Sequence, residues 1–419
     1  MVWSREKEGR AVASDDLPLS GVRVADFTWF GAGPIFTQAL AHYGAEVIRV
    51  ESQVRLDGLR FTQPMPKDRP PGINLSGYFN NFNAGKLSIT INLNSEKGRE
   101  LALRLIAVSD IVAENYTPGT FEKWGLSYER ILQVRPDIIM VREPMQGASG
   151  PHRDFAGFGA VITPLAGISH LSGFPHRPPV GLGTNYTDYV VNPGHALIAT
   201  LAALHYRNRT GKGQLIEVAQ LESSVNVIGV ALLDYTANRR VQERQGNRLP
   251  YAAPHGVYRC QGDDRWVAIA IFDDEQWQRF CQAVDEEWVR DARFATLLGR
   301  KEHEDELDRL IEAWTARQEA EAVMEALQAA GVPAGVVQSA ADLLDRDPHL
   351  HERGYYHYLE HPEAGRTAYD GPGFRLSRTP GGPRSPAPLL GQHTEQVCKR
   401  VLGLSDEEIA MLVMEGVLQ

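Results

Sequence analysis

The sequence predicts an α/β fold built on a mostly parallel sheet with helices over both faces. Three observations point there. From Val22 to about Val141, short apolar strands alternate with segments of helical spacing. The composition, 43% hydrophobic and 23% charged, is that of a soluble globular chain. The stretch VADFTWFGAGPIFTQALAHYGAEVIRVES, Val24 to Ser52, reads as strand, glycine turn, helix and a second strand ending in Glu51.

The elements follow in order. VRVADF and AEVIRVE are strands, and PIFTQALAHYG between them is a helix stopped by Gly44. LSITINL is the next strand, followed by a helix opened by Ser95 and then IVAEN. TFEKWGLSYERILQVRP is helical and leads into the strand IIMV. This repeated strand-helix order calls for parallel pairing. The longest helical pattern is PGHALIATLAALHYRNR, with Asn192 as expected N-cap, Pro193 at the first helical position and Gly211 beyond the end. After the strand QLIEVAQ and an apolar helix from Glu222 to Tyr235, a second region begins near Arg244. It holds the strand WVAIAI, an Asp-capped helix DDEQWQRFCQAV, two charged amphipathic helices and the strand GVPAGVVQS. Pro- and Gly-rich text after Asp370 reads as ordered crossover loop, and a short helical tail closes the chain.

Several classes of function are disfavoured at once. A net charge of −10 speaks against a nucleic-acid binder, which needs a basic surface. Three cysteines, Cys260, Cys281 and Cys398, stand far apart and suit reduced thiols in the cytoplasm. The charged N-terminus lacks the apolar core of a signal peptide, and no stretch reaches the roughly 18 apolar residues of a membrane span. The histidines show no metal-ligand spacing, so no metal is expected.

The opening stretch has the layout of a dinucleotide-binding unit, with an acid about 20 residues past the first glycine. The fingerprint needs a third glycine for close helix-strand contact, and Phe36 stands there, after Pro34. NAD is therefore disfavoured, while the helix N-terminus remains suited to an anionic phosphate.

Five blocks decide between these readings. PLSGVRVADFTWFGAGP with LAHYGAEVIRVE, NAGKLSITINL, ENYTPGTFEKWGLSYERI, RNRTGKGQLIEVA and PLLGQHTEQV, in that order, resemble the class III coenzyme A-transferases, the CaiB/BaiF family. The resemblance spans nearly the whole chain. It implies a Rossmann-like large domain, a smaller α+β domain and two chains interlocked like links. On that pattern residues 1–225 begin the large domain, 226–345 form the small domain with its linkers, and 346–419 return to complete the large one. It also implies that CoA is a substrate, with no permanently bound cofactor, and that the partners are an acyl-CoA, a carboxylic acid and a second copy or a related chain.

The resemblance places CoA contacts at Phe30, Gly31 and Ala32, at Lys86, and at Asn115, Tyr116, Thr120 and Lys123. Lysines at 86 and 123 suit a pyrophosphate and a 3′-phosphate. Ser52 replaces a basic residue found after the acid in some members, which turns attention to Arg49 or Arg60. The family's nucleophilic aspartate corresponds to Asp188 in GTNYTDYVVNPGHA, read as a loop residue four positions before Asn192, where a helix N-terminus favours a carboxylate. Such a residue would form an acyl anhydride and then an enzyme-CoA thioester.

Two rival readings compete with this one. Racemases of the same family add a histidine in a block matching FAGFGAVITPLAGISHLSG, where Phe158 or Gly159 stands here. A non-catalytic subunit would not need Asp188. His170 reads as packing, His195 as a packed or lining residue, and Glu217 and Glu222 as structural. DFTWFGAGP and TNYTDYVVNPGHA look most like members acting on succinyl-CoA and an aromatic dicarboxylate such as benzylsuccinate, with Trp29 and Phe30 as candidates for an aromatic wall.

Overall fold

The computed structural model describes residues 16–419, so most of the charged N-terminal stretch lies outside the described residues. Six strands build the main sheet: β1 (Arg23–Asp26), β2 (Glu46–Glu51), β3 (Leu87–Thr90), β4 (Ile111–Glu114), β5 (Ile139–Arg142) and β6 (Gln214–Glu217). Their order is β3-β2-β1-β4-β5-β6, and every neighbouring pair is parallel. The chain starts in the middle, winds to one edge and returns to build the other half. That doubly wound order leaves a crevice outside the carboxyl ends of β1 and β4, where the winding reverses.

The apolar runs have this cause. Val24, Ile111, Ile139 and Val141 face a core shared with Phe36 and Leu40 of the helix Ala32–His42 and Ala203 and Leu204 of the helix Asn192–Thr210. The intervening Ala25, Ile48, Val112 and Met140 face the opposite core, with Leu101 and Leu105 of the helix Glu96–Ala107. Strands buried on both faces need no polar alternation. Ser95 caps its helix, accepting from the Gly98 amide at 2.9 Å, and Gly211 closes the long helix at φ 72°.

The chain divides into two compact units. The first runs to Ile168 and includes Gly181–Leu233 and His351–Gln419; the second is Ser169–Val180 with Asp234–Leu350. The second unit has a three-stranded antiparallel sheet of β7 (His255–Arg259), β8 (Trp266–Ala270) and β9 (Ala334–Val336), in that order. Trp277 and Phe280 of the helix Asp274–Val284 pack with Leu307, Ile311 and Leu327 against Tyr258, Val267 and Ile269. Asp273 caps that helix, accepting from the Gln276 amide at 2.7 Å.

The first unit also contains a hairpin absent from the sequence reading, β10 (Tyr356–His361) and β11 (Gly365–Asp370). Beyond it, residues 371–393 form no helix or strand. The end of this segment covers the outer edge of β3: His393 Nδ1 accepts from the Ser88 amide at 3.1 Å, and the His393 amide donates to Ser88 O at 2.9 Å. An edge satisfied in this way does not template further strands. No helix among the described residues is long and apolar enough to cross a membrane.

Candidate active site

The turn after β1 is fixed atom by atom. Asp26 accepts from the Thr28 amide and hydroxyl at 3.0 and 2.5 Å, and Arg49 donates to Thr28 O at 2.9 Å. Asn115, at the end of β4, accepts from the Trp29 amide and donates to the Trp29 carbonyl, both at 2.8 Å. The Phe30 amide donates to the Asp57 carboxylate at 3.2 Å, with Phe30 in the left-handed region at φ 58°. Gly33 then lies so close to Thr28 that a Cβ on it would sit 2.4 Å from the Thr28 Cβ. The close approach of helix and strand is thus made at Gly33, and Phe36 turns into the core.

A cavity of about 280 Å3 opens at the carboxyl ends of β1 to β4, lined by Trp29, Glu51, Asn92, Tyr116, Thr120 and Trp124 among others. Tyr116 meets Trp29 and Trp124 edge to face, with ring centres 5.7 and 5.2 Å apart. The exposed guanidinium of Arg55 lies 5.3 Å from the Trp29 ring centre, at the rim. Glu51 is not free to grip a ribose: both its oxygens are held by Arg60, at 2.9 and 2.6 Å. An aromatic slot with a cation at its rim suits a flat base carrying phosphate.

Asp188 is buried in the π-helical turn Thr187–Val191, which runs directly into the helix Asn192–Thr210. This corrects the expected loop. Asn192 has helical dihedrals and is not an N-cap; its side-chain amide approaches Asp188 Oδ1 at 3.5 Å and Gln220 Oε1 at 3.2 Å. Asp188 Oδ2 accepts from the Gly159 amide at 2.7 Å. Burial pushes the Asp188 carboxyl up to about 6, against the Gly159 and Asn192 bonds that favour the charged form. The result is a carboxylate still ionised at neutral pH, yet more basic than a surface aspartate.

The glycine turn and this carboxylate adjoin. A Cβ on Gly31 would lie 3.5 Å from the Asp188 Cβ and 3.3 Å from the Tyr189 ring. Ala32 opens the helix beside them. The rings of Phe30 and Phe158 lie parallel within 5°, centres 6.1 Å apart, and both are about half exposed.

A family model described as CoA-transferase family III matches residues 19–394. The chain belongs to that family. It is 37% identical to the succinyl-CoA–D-citramalate CoA-transferase of Chloroflexus aurantiacus, over 96% of this chain and 98% of that relative. It is 30% identical to the succinyl-CoA:glutarate CoA-transferase of Mus musculus, over 96% and 90%. Among solved structures, a CAIB/BAIF family protein from Brucella suis superposes with a TM-score of 0.83 at 30% identity, covering 91% of this chain and 98% of that one. The protein is therefore an enzyme, a CoA-transferase acting between an acyl-CoA and a carboxylic acid.

Within this CoA-transferase, Gly31 adjoins Asp188 with Phe30 and Ala32 on either side of it in the chain, Tyr116 and Thr120 line the cavity with Trp29, and Asn115 holds the Trp29 backbone. Lys123 is exposed at the end of the short helix that Thr120 begins. Lys86 does not fit its expected place on CoA. Its ammonium is buried and meets Asp26 at 3.0 Å, Pro34 O at 2.9 Å, Thr37 Oγ1 at 2.8 Å and Asn83 Oδ1 at 2.9 Å, which uses all three protons. Burial lowers it to about 8, with Asp26 opposing. Arg49 and Arg60 are likewise buried, one paired with Asp57 at 2.5 Å and the other with Glu51, so neither reaches a phosphate. The rim cation is Arg55, which sequence reasoning passed over because a lone loop arginine carries no pattern.

The remaining candidates are peripheral. His195 is exposed, its Nδ1 2.9 Å from Val191 O and its Nε2 3.4 Å from Asn226. Glu217 is exposed and accepts from the Ala148 amide, and Glu222 is exposed. His170 pairs with Glu243 at 3.3 Å in the second unit. Among the described residues no group of three or more His, Cys, Asp or Glu is arranged to hold a metal.

Proposed function

We propose that the enzyme moves CoA from succinyl-CoA to a carboxylic acid acceptor through covalent catalysis at Asp188. One observation carries this reading: a buried carboxylate, one oxygen held by the Gly159 amide, beside the turn at Gly31. Asp188 attacks the thioester carbonyl, and the C–S bond breaks to give a mixed anhydride and CoA thiolate. The thiolate attacks the aspartyl carbonyl, giving an enzyme-CoA thioester and the donor carboxylate. The acceptor carboxylate reverses the sequence, so no proton or phosphate is needed; the overall exchange of one thioester for another is nearly isoenergetic, and covalent catalysis divides it into easier steps. CoA lies along Phe30–Ala32, Asn115, Tyr116, Thr120 and Lys123 in this reading, with its base in the aromatic slot and Arg55 near phosphate.

Succinyl-CoA is the donor in the names of the citramalate and glutarate transferases. For the acceptor, the parallel Phe30 and Phe158 rings favour an acid bearing a ring, such as benzylsuccinate, over a small hydroxy acid. Gly159 disfavours racemisation, since a Cβ there would lie 2.5 Å from Asp188 Oδ2 and leaves no room for an imidazole. Exposed Ile198 and Val230 support pairing with a second chain, either a copy or a related subunit; L-malate CoA-transferase relatives from Chloroflexus aurantiacus carry α and β subunit names.

The experiment is incubation with succinyl-CoA and a panel of acids, followed by intact mass. A CoA adduct at Asp188, and a hydroxamate there when hydroxylamine is added with donor, are expected. Full transfer by Asp188→Ala, or a hydroxamate on another acid, overturns the assignment. Light scattering that finds a monomer at working concentration overturns the pairing.

A further inference from the structure

Glu143 follows β5 and is held from both sides by its backbone. Its amide donates to Glu114 O at 3.0 Å, and its carbonyl accepts from Gln220 Nε2 at 2.6 Å. Gln220 Oε1 in turn accepts from Asn192, whose amide also approaches Asp188. One short relay therefore fixes the backbone of Glu143 and the side chain of Asp188 together. The Glu143 side chain is different. It is 1% exposed, and neither carboxyl oxygen has a hydrogen-bond partner.

The charged groups that bear on Glu143 are acids: Asp188 from the π turn, Asp26 from β1 and Glu114 from β4. The cations that balance these acids are bound to the acids themselves, Lys86 to Asp26 at 3.0 Å and Arg142 to Glu114 at 3.0 Å. An ionised carboxylate in such surroundings, dry and without a donor, is strongly disfavoured. Burial, then Asp188, push the Glu143 carboxyl well above its ordinary value. Two acids whose environments separate their ionisation can be given different roles.

We propose that Glu143 stays a neutral carboxylic acid through the cycle, so that Asp188 and Glu143 together carry one negative charge, and that ionisation of Glu143 sets the alkaline limit of the transfer. This rests on Asp188 as the nucleophile. Glu143 is a positioning residue in this scheme: it touches no substrate and acts through Asp188. A second negative charge here would raise Asp188 further and repel an acyl-CoA and an acid, both anionic.

The test pairs kcat/KM profiles against pH with infrared titration of the protonated-carboxyl band, for wild type, Glu143→Gln, Glu143→Asp and Glu143→Leu. The expected result is a fall at alkaline pH in wild type that Glu143→Gln and Glu143→Leu lose, moving it upward by more than a pH unit. The acid limb should remain in both, and Glu143→Asp should restore an alkaline fall. A purely structural role would lower the rate at every pH and leave the limb in place. Glu114, pushed by burial up to about 7, and Lys86, lowered by burial to about 8, are other groups able to turn the profile down; a limb that persists unmoved in Glu143→Gln assigns it elsewhere and overturns the proposal. A protonated-carboxyl component must persist in wild type above the range in which Glu114 titrates, about 7, and be missing in Glu143→Gln, and its absence from wild type also overturns the proposal. Because the carboxyl has no hydrogen bond to lose, Glu143→Leu should fold; failure of both neutral variants to fold contradicts the premise. Transfer surviving in Asp188→Ala would remove the nucleophile reading and the alkaline-limit statement with it, while the infrared result would still report the state of Glu143.

Discussion

The Gly159 amide lies 2.7 Å from Asp188 Oδ2, and a Cβ on residue 159 would sit 2.5 Å from the same oxygen. The residue that holds the carboxylate can hold it only without a side chain. Gly159→Ala should therefore displace Asp188 and lower kcat by about 100-fold, since an error near 1 Å in a reacting group costs on that order. The Kd for CoA should stay within about threefold, because the turn and the aromatic slot are untouched. Stopped assays and calorimetry on the same preparation check both numbers.

Asp188 should also weaken the fold it serves. Its pKa in the folded protein, about 6, exceeds the ordinary 3.8, so the folded state holds the proton more tightly. That contribution is fully present below about pH 4 and is lost as pH rises through 6. Asp188→Asn should then be more stable than wild type by about 2–3 kcal/mol at pH 8, given roughly 1.4 kcal/mol per pKa unit, and no more stable at pH 3. Urea unfolding at the two pH values measures it. Wild-type kcat/KM should fall on the acid side with a midpoint near 6.

Lys86 should report on stability rather than on CoA. Lys86→Met leaves Asp26 buried with one cation fewer, a change that costs about 3–5 kcal/mol when half of a buried pair is removed. The KM for acyl-CoA, measured on protein that remains folded at low temperature, should move less than threefold. A tenfold rise in KM with normal stability would return the lysine to the ligand.

Arg55 should behave in the opposite way. Arg55→Ala removes an exposed side chain, so the melting temperature should barely change. The KM for acyl-CoA should rise about tenfold, the scale of a cation near phosphate and an aromatic face. The difference between variant and wild type should shrink at high salt. Equal KM values at low salt would place the phosphates elsewhere.

The parallel sheet was legible because its strands are buried on both faces and read as unbroken apolar runs, as in β4 and β5. The hairpin of β10 and β11 escaped for the converse reason. Its residues, YHYLEH and GRTAYD, are mostly half-buried or exposed and mix polar with apolar side chains without a clean period. Asp188 is singled out in the sequence only through the resemblance of GTNYTDYVVNPGHA, while its surroundings are not legible there. Gly159 and Asp188 are 29 residues apart, and their bond exists only in space. The π turn at Thr187–Val191 has no periodicity of its own, so Asn192 looked like a cap. Lysines and arginines were the least readable, because Lys86, Arg49 and Arg60 are spent inside a buried ionic lattice that a string of letters does not distinguish from a charged surface.

Phe30 occupies a backbone geometry that glycine adopts freely and that a side chain adopts at a cost of about 1–2 kcal/mol. A library sorted by heat resistance alone would therefore drift toward glycine at this position, and each winner would lose the ring that faces Phe158. If the Phe30 ring serves the substrate as proposed, breeding this enzyme for durability and breeding it for turnover pull residue 30 in opposite directions, and a screen that scores both is needed to keep it.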